Sequence, residues 1–298
     1  MFIITYKKVF VLVSLGLVAL AIGSIVYFGL PLGIEFRGGA LTEVTYKESR
    51  PSIEAVQEVL NKQSVGTVHV QPIGEDGYVI KTRALTESER QSVLTSLTLE
   101  KTNVAQEKSF TSIGPSVGRE LARKAIISIV LVALGIVFFI AYAFRKVTRP
   151  VSSWKYGIIA IVTLLHDVII AVGIFAILAH VYGIEVDTLF VVAVLTILGL
   201  SVSDTIVVFD RVRENVNGGA YKSFTETVGR SIEQAFTRSI NTSVTVILAL
   251  LALFFFGPVS TKVFALTLTA GMFFGTYSSI FLASPLLVYT EQLQNKRK

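Results

Sequence analysis

The chain has 298 residues, of which 52% are hydrophobic and only 16% are charged, and its mean hydropathy is +0.66. These values exclude a soluble globular domain of this length and indicate an integral membrane protein. The net charge of +6 does not indicate a nucleic-acid partner, because the polar segment 34–124 holds equal numbers of acidic and basic residues. The absence of cysteine excludes a disulfide framework and thiolate metal sites, and no cofactor is predicted.

Uncharged stretches long enough to cross a bilayer predict six transmembrane helices. Two of these helices arise by joining shorter apolar runs across an embedded acid, Asp167 or Asp204. The first apolar run is too long for a signal-peptide core and no small-residue cleavage site follows it, so we expect a retained anchor. The predicted helices lie near residues 9–30, 124–145, 155–181, 187–210, 239–257 and 262–289.

Basic residues in the short loops predict the orientation. They concentrate at the N-terminus, after the second and fourth helices and in the tail, whereas the short loops on the other side hold only Lys262. Both termini are therefore predicted to be cytoplasmic. The predicted domains are 1–33 with the first helix, an extracytoplasmic domain at 34–118, and 119–298 with the other five helices.

The segment between the first two helices reads strand, helix, strand, strand, helix, strand, which is the ferredoxin-like order of an α+β domain. Alternation at Ala40, Thr42, Val44 and Tyr46 predicts a half-buried strand. Ser52 is placed to cap the first helix, and the TESE sequence from Thr86 predicts a capping box on the second. His69 has no second metal-ligand cluster near it and is predicted to lie on the surface of a strand.

Two carboxyl groups lie inside predicted spans, where ionisable residues are candidates for function. Asp167 lies about midway along the third helix, and Asp204 lies near the cytoplasmic end of the fourth. The alternative for Asp204 is that it snorkels to the membrane surface or caps a neighbouring helix. His166 is either a proton relay or only a hydrogen-bond partner of Asp167.

Small and polar residues share helix faces close to Asp204. Thr196, Gly199 and Ser203 predict a packing or water-lined face in the bundle interior. Arg238, Thr242 and Thr245 share a face of the fifth helix, so Arg238 can reach inward to Asp204 or outward to lipid phosphates. The sixth helix carries a small residue at every fourth position, which predicts close packing at Thr267, Gly271, Gly275, Ser279 and Ala283.

A carboxylate whose arginine partner comes and goes can load and release a proton. We therefore take Asp204 and Arg238 as candidate proton-conducting residues. The candidates for a secondary polar relay are His166, Asp167, Ser203, Thr205 and Thr242.

Six motifs follow one another along the chain: GIEFRGG at 33–39, IGPSVGREL at 113–121, LLHDV, SVSDTIVVFDRVREN, FTRSINTSVT and GTYSSIFLASP. With these motifs the chain resembles the SecD/SecF family of the RND superfamily from end to end, and the DTIVVFDR block favours the SecF branch. Gly38 and Gly39 close the first motif. Leu200 and Ser203 stand where the family usually has tyrosine and asparagine.

The resemblance implies half of an RND-type transporter, completed by SecD as a heterodimer in the bacterial cytoplasmic (inner) membrane. Such a complex uses the proton-motive force to assist the translocation of preproteins through the SecYEG translocon. The resemblance also implies that Asp204 and Arg238 take part in proton conduction. It implies no enzymatic activity and no cofactor.

Other functions remain open from the residues alone. The chain can be half of an RND-type exporter of lipids or small molecules, or a passive scaffold or chaperone subunit. An intramembrane aspartyl protease is disfavoured because no GxGD sequence surrounds Asp204, and GLSVS is not the GxSG of a rhomboid-like protease. The charged end of the fourth helix, Asp210 to Glu214, is interpreted as its membrane exit, and Lys222 to Arg238 as an amphipathic helix along the cytoplasmic face.

Overall fold

The computed structural model describes residues 2–47, 49–98, 104–145, 151–219 and 221–295, apart from the side chains of Ser153 and Val259. The chain divides into two compact units. The membrane unit consists of residues 1–31 and 127–298, and the α/β unit consists of residues 32–126.

The elements of the α/β unit precede most of those of the membrane unit along the chain. Its helices and strands are α3 (Ile34–Arg37), β1 (Gly39–Tyr46), α4 (Ile53–Asn61), β2 (His69–Ile73), β3 (Gly77–Thr82), α5 (Glu87–Leu97) and β4 (Ala105–Ile113). The remaining helices are α1 (Phe2–Thr5), α2 (Lys7–Phe28), α6 (Pro115–Ala143), α7 (Ser153–Tyr182), α8 (Thr188–Asn217), α9 (Phe224–Phe256), α10 (Val259–Ser278) and α11 (Ser284–Asn295), with a π-helical turn at Ser279–Ala283 between α10 and α11.

Six helical stretches in the described residues are long and apolar enough to cross a membrane, as predicted. They are Lys7–Phe28, Pro115–Ala143, Trp154–Tyr182, Thr188–Asn217, Phe224–Phe256 and Ser260–Asn295. The second of these stretches begins nine residues before its predicted start. Pro115 occupies its first helical position, where a missing N–H costs nothing.

The fifth span corrects one prediction. The segment 222–238 is not a separate amphipathic helix, because α9 runs without a break from Phe224 to Phe256. Ser223 caps it by accepting a hydrogen bond from the backbone N–H of Glu226 at 3.2 Å. No proline interrupts these 33 residues, and at 1.5 Å per residue they extend about 50 Å, well beyond the hydrocarbon core of a bilayer.

The core of the membrane unit is built mainly on α7, α8 and α10. Ala171, Ala193, Ile197 and Leu268 form one buried cluster among these helices. A larger cluster includes a stacked pair of rings, Phe144 and Tyr156, whose centroids lie 5.5 Å apart. These helices therefore hold any polar side chain on their shared faces away from lipid.

The α/β unit contains a four-stranded antiparallel sheet in the order β2-β3-β1-β4. The predicted inward residues of β1 are buried, from Ala40 to Tyr46 in alternation. Ser52 and Thr86 cap α4 and α5, and the predicted capping box of Thr86 and Glu89 is present. His69 is exposed on β2, as expected.

Two glycine motifs that are distant in sequence meet within this unit. Gly38 has a positive φ of 82°, and a Cβ there would lie 2.8 Å from Cα of Pro115. A Cβ on Gly118 would lie 2.8 Å from the backbone N of Gly38. A Cβ on Gly39 would lie 2.9 Å from the carbonyl oxygen of Thr82. Side chains at these positions are excluded by the close approach of backbone.

An ion pair on this unit gives a pH-dependent prediction. The Arg83 guanidinium, with the backbone N–H of Thr86, holds the pKa of the Glu89 carboxyl at about 2, below its ordinary value of 4.5. Because the pKa of the folded state is lowered, the stabilisation is complete above the ordinary value and is lost as the pH falls towards 2. We expect Arg83→Ala to raise the Glu89 pKa measured by carboxyl NMR, whereas Lys62→Ala, which removes the separate Lys62–Glu58 pair, should leave it unchanged.

Candidate functional site

Asp204 lies on the buried side of α8, and its side chain reaches two hydroxyl groups. The residue is 7% exposed. Thr276 of α10 donates to its Oδ2 at 2.8 Å, and Ser243 of α9 lies 3.4 Å from the same oxygen. The two hydroxyls also contact each other. Three helices thus converge on one carboxyl group.

Each of these hydroxyls has a second acceptor on its own helix. Thr276 Oγ1 lies 3.1 Å from the carbonyl oxygen of Met272, and Ser243 Oγ lies 2.8 Å from that of Ser239. A hydroxyl rotates to suit its partners and both donates and accepts. It can therefore donate to an ionised Asp204, or accept from a protonated one while it donates to its backbone carbonyl. The carboxyl is satisfied in both protonation states.

Asp167 lies at the middle of α7 and is fully buried. Its Oδ1 lies 2.8 Å from Nδ1 of His166. Its Oδ2 accepts from Ser201 of α8, and from Ser278 of α10 at 2.8 Å. Asp167 is thus hydrogen-bonded to two of the three helices that form the Asp204 site, α8 and α10.

Glycines on α10 let these helices approach closely. A Cβ on Gly271 would lie 2.3 Å from Cγ1 of Ile197, and a Cβ on Gly275 would lie 3.4 Å from Cα of Ser201. Ser279 is buried, and its hydroxyl donates to the carbonyl oxygen of Gly275 at 2.6 Å. A larger residue at position 271 would push α8 away from α10, because the β-branched Ile197 has little room to move.

The face of α8 that we predicted to line the bundle interior is not covered by the other described helices of this chain. Gly199 and Ser203 are exposed and Thr196 is half-buried, and a Cβ on Gly199 would meet nothing within 4 Å. The buried face instead runs through Ile197, Ser201 and Asp204. The helix is rotated by a fraction of a turn from the predicted orientation.

Other predicted residues are also distributed differently. Thr242, Thr245 and Arg238 of α9 are exposed, and no ion pair joins Arg238 to Asp204 in the described part of the chain. Thr205 is buried, but its hydroxyl donates to the carbonyl oxygen of Ser201 at 3.2 Å rather than to a carboxyl group.

Four hydroxyl residues that contact the carboxyls were missed. They are Ser201, Ser243, Thr276 and Ser278. The available signal was helical spacing: Ser201 precedes Asp204 by three residues, which places both on one side of α8. No group of three or more histidine and acidic side chains that could hold a metal ion occurs among the described residues.

The fold and these contacts define a polytopic helical membrane protein with buried ionisable groups. Residues 93–293 match the family described as protein export membrane protein SecD/SecF, C-terminal. Protein translocase subunit SecF of Thermobaculum terrenum is 42% identical over 300 residues, covering 97% of this chain and 93% of that protein. SecF of Synechocystis is 35% identical over 285 residues, which cover 92% of this chain and 88% of that protein.

The crystal structure of SecDF from Thermus thermophilus, described as a translocon-associated membrane protein, superposes with a TM-score of 0.81 at 30% identity. The match covers 98% of this chain but only 38% of that longer one. The chain belongs to the SecD/SecF family of protein export membrane proteins.

Proposed function

We propose that this chain is the membrane subunit of a SecDF-type protein translocase and that Asp204 binds and releases protons during its cycle. Relatives of matching length are named protein translocase subunit SecF. That name supports a role as a translocase subunit. We propose that the role is accessory, without enzymatic chemistry, and that the chain assists preprotein translocation alongside a SecYEG translocon.

The hydroxyl pair around Asp204 is the observation that carries the proton-binding proposal. A buried carboxyl with only a structural role would need hydrogen-bond partners for a single protonation state. Here the hydroxyls of Thr276 and Ser243 can each donate instead to a backbone carbonyl oxygen, at 3.1 and 2.8 Å respectively. Protonation of Asp204 therefore leaves no buried polar group without a partner, which would otherwise cost about 1–3 kcal/mol. The proton-motive force supplies about 2.3 kcal/mol for each charge moved through 100 mV.

SecD is the proposed partner in the membrane. Polar side chains in lipid are costly, yet Ser203, Thr242 and Arg238 are exposed on apolar helices of this chain. A second helical half covering them would remove that cost. It would also bring Arg238 into a protein environment, in which we propose that it takes part in proton conduction with Asp204. The fused SecDF protein of Bacillus subtilis, of which this chain covers 37%, supports such a partner.

The location follows from the loop charges. We propose a multi-pass protein of the bacterial cytoplasmic membrane with both termini in the cytoplasm. The antiparallel sheet order β2-β3-β1-β4 supports a ferredoxin-like domain at 34–118, which we place on the extracytoplasmic side.

Two alternative functions are less well supported. No hydrogen bond joins the carboxyls of Asp167 and Asp204 in the described residues; each binds its own set of hydroxyls. Aspartyl proteases instead hold two acids about 3 Å apart, so the geometry disfavours proteolysis. An exporter of lipids or small molecules would share the proton site and differ in its cargo, which a transport assay with each substrate class distinguishes.

Thr276→Val tests the role of the hydroxyl with little change in shape. It removes the 2.8 Å hydrogen bond to Asp204, and such bonds to charged groups contribute about 1.5–3 kcal/mol. We expect proton-driven translocation in reconstituted vesicles to fall about tenfold or more. The matched control is Thr269→Val on the same helix, whose hydroxyl donates only to the carbonyl oxygen of Ala265. Equal activity of the two variants would contradict the proposed role of Thr276.

A further inference from the structure

His166 and Asp167 form a second buried ionisable pair. The histidine is 4% exposed and the aspartate 0%. The Asp167 carboxyl has three hydrogen-bond partners, the imidazole Nδ1 and the hydroxyls of Ser201 and Ser278. The hydroxyls of Ser201 and Ser278, and an Nδ1–H on His166, can all donate to an ionised carboxylate at this position.

The other imidazole nitrogen identifies where a proton can bind. Nε2 of His166 is buried and has no hydrogen-bond partner. When Nδ1–H donates to a carboxylate, the neutral ring keeps its lone pair on Nε2. The pair then consists of an anion, a neutral ring and one unoccupied basic nitrogen.

We propose that His166 and Asp167 are a second proton-binding site, in which the proton binds at Nε2 of His166 while Asp167 stays ionised. An N–H bond forms at Nε2 as an O–H bond of a hydronium ion breaks, and a water molecule is released. Binding converts a pair of net charge −1 into an ion pair of net charge zero. A neutral ion pair is less costly than a lone charge in a low-dielectric interior. This proposal goes beyond the function assigned to Asp204 and does not depend on it.

Few titratable groups surround this site. On α8 the nearest is Asp204, one turn beyond Ser201, and on α10 it is Tyr277, whose ring stacks on His166 with centroids 6.3 Å apart. Lys7, Lys8 and Tyr27 lie in the terminal turns of α2. Tyr289 and Glu291 belong to α11, which lies beside the first turns of α7 near Lys155 and Ile159.

The two carboxyl sites share their supporting helices. Ser201 and Asp204 are three residues apart on α8, and Thr276 and Ser278 are two residues apart on α10. A change in the hydrogen bonds of either carboxyl therefore acts on the same two helices. Because both members of the His166–Asp167 pair are sealed from solvent, proton exchange there requires these helices to separate or to admit water.

Solid-state NMR of the full chain in lipid vesicles tests the site directly. The protein has three histidines, and His69 and His180 are both exposed, so the double variant His69→Gln/His180→Gln leaves His166 as the only ¹⁵N-histidine signal. At alkaline pH we expect a ring protonated at Nδ1 and bare at Nε2. Acidification should produce a second population protonated at both nitrogens. A ring protonated at Nε2 in the alkaline sample, or a ring that stays neutral at every pH, would overturn the proposal.

Two adjacent buried serines provide a matched pair in the same background. Ser278→Ala removes a donor to Asp167, and Ser279→Ala removes a hydroxyl that donates only to backbone carbonyls of α10. Without the Ser278 hydroxyl, more of the negative charge of Asp167 acts on the His166 ring, which favours the population protonated at both nitrogens at a fixed pH. We expect that change in Ser278→Ala and none in Ser279→Ala; equal responses would reject the assigned network. Asp204→Asn should retain the protonated His166 population, so failure of the Asp204 proposal and failure of this one are distinguishable.

Discussion

Asp204→Asn is expected to abolish the proton-dependent part of preprotein translocation and to leave the protein folded. The amide has the shape of the carboxyl and can still accept a hydrogen bond from Thr276, which lies 2.8 Å from Oδ2 in the native protein. It cannot bind and release a proton near neutral pH. Translocation should be measured in vesicles that contain the chain, its SecD partner and the translocon, with and without an imposed proton gradient.

Asp210→Asn is the matched control for this experiment. Asp210 lies six residues further along α8, with a side chain that is 44% exposed and paired with Arg213. Its substitution removes the same charge from the same helix, and it should leave proton-driven translocation intact. Stimulation by the gradient in Asp204→Asn would refute the proton-binding role. Arg238→Lys in the same assay tests the conducting role that we propose for Arg238, because an ammonium does not reproduce the guanidinium fork.

Gly173→Ala is expected to destabilise the membrane unit by about 1–3 kcal/mol. A Cβ at this position would lie 2.6 Å from Cα and 2.6 Å from Cβ of Ala21 on α2. Backbone atoms cannot move aside as the end of a flexible side chain does, so α2 and α7 must separate. The separation would also weaken the hydrogen bond of Ser24 to the carbonyl oxygen of Gly173, which is 2.9 Å long.

Gly135→Ala provides the comparison, because a Cβ on Gly135 would meet nothing within 4 Å. In a helix without such a contact, alanine is favoured over glycine by about 1 kcal/mol. The two substitutions should therefore change the free energy of unfolding in opposite directions, as measured by circular dichroism in mixed micelles. A loss of stability of the same size in both variants would contradict the close approach of α2 and α7.

The sequence predicts the local features of this protein well. The number of apolar helices, the alternation of β1 and the caps at Ser52 and Thr86 were all correctly assigned. These features depend on residues within one or two turns of each other. The break expected before the fifth span was wrong, since positive charge and amphipathic spacing after Lys222 do not interrupt a helix that has no proline.

The orientation of the membrane helices was the harder problem. We expected Ser203 and Thr242 beside Asp204, but both are exposed, and Ser243 and Thr276 hold the carboxyl instead. Gly173 was not predicted to have a packing role, although it allows the close approach of α2 to α7. For Ser203 and Thr242 the difference amounts to the rotation of a helix about its axis.

Composition and local pattern by themselves determined the membrane class, the number of spans, the element order of the α/β unit and the presence of Asp167 and Asp204 within apolar spans. Only the tertiary structure decided which face of α8 and α9 turns inward, and so which hydroxyls serve each carboxyl. The physical reason is that lipid is as apolar as the protein interior. A soluble helix shows its buried side by an apolar stripe, whereas the membrane-crossing part of α8 carries apolar residues on every side. Its orientation is set by close packing against Gly271 and Gly275 of α10.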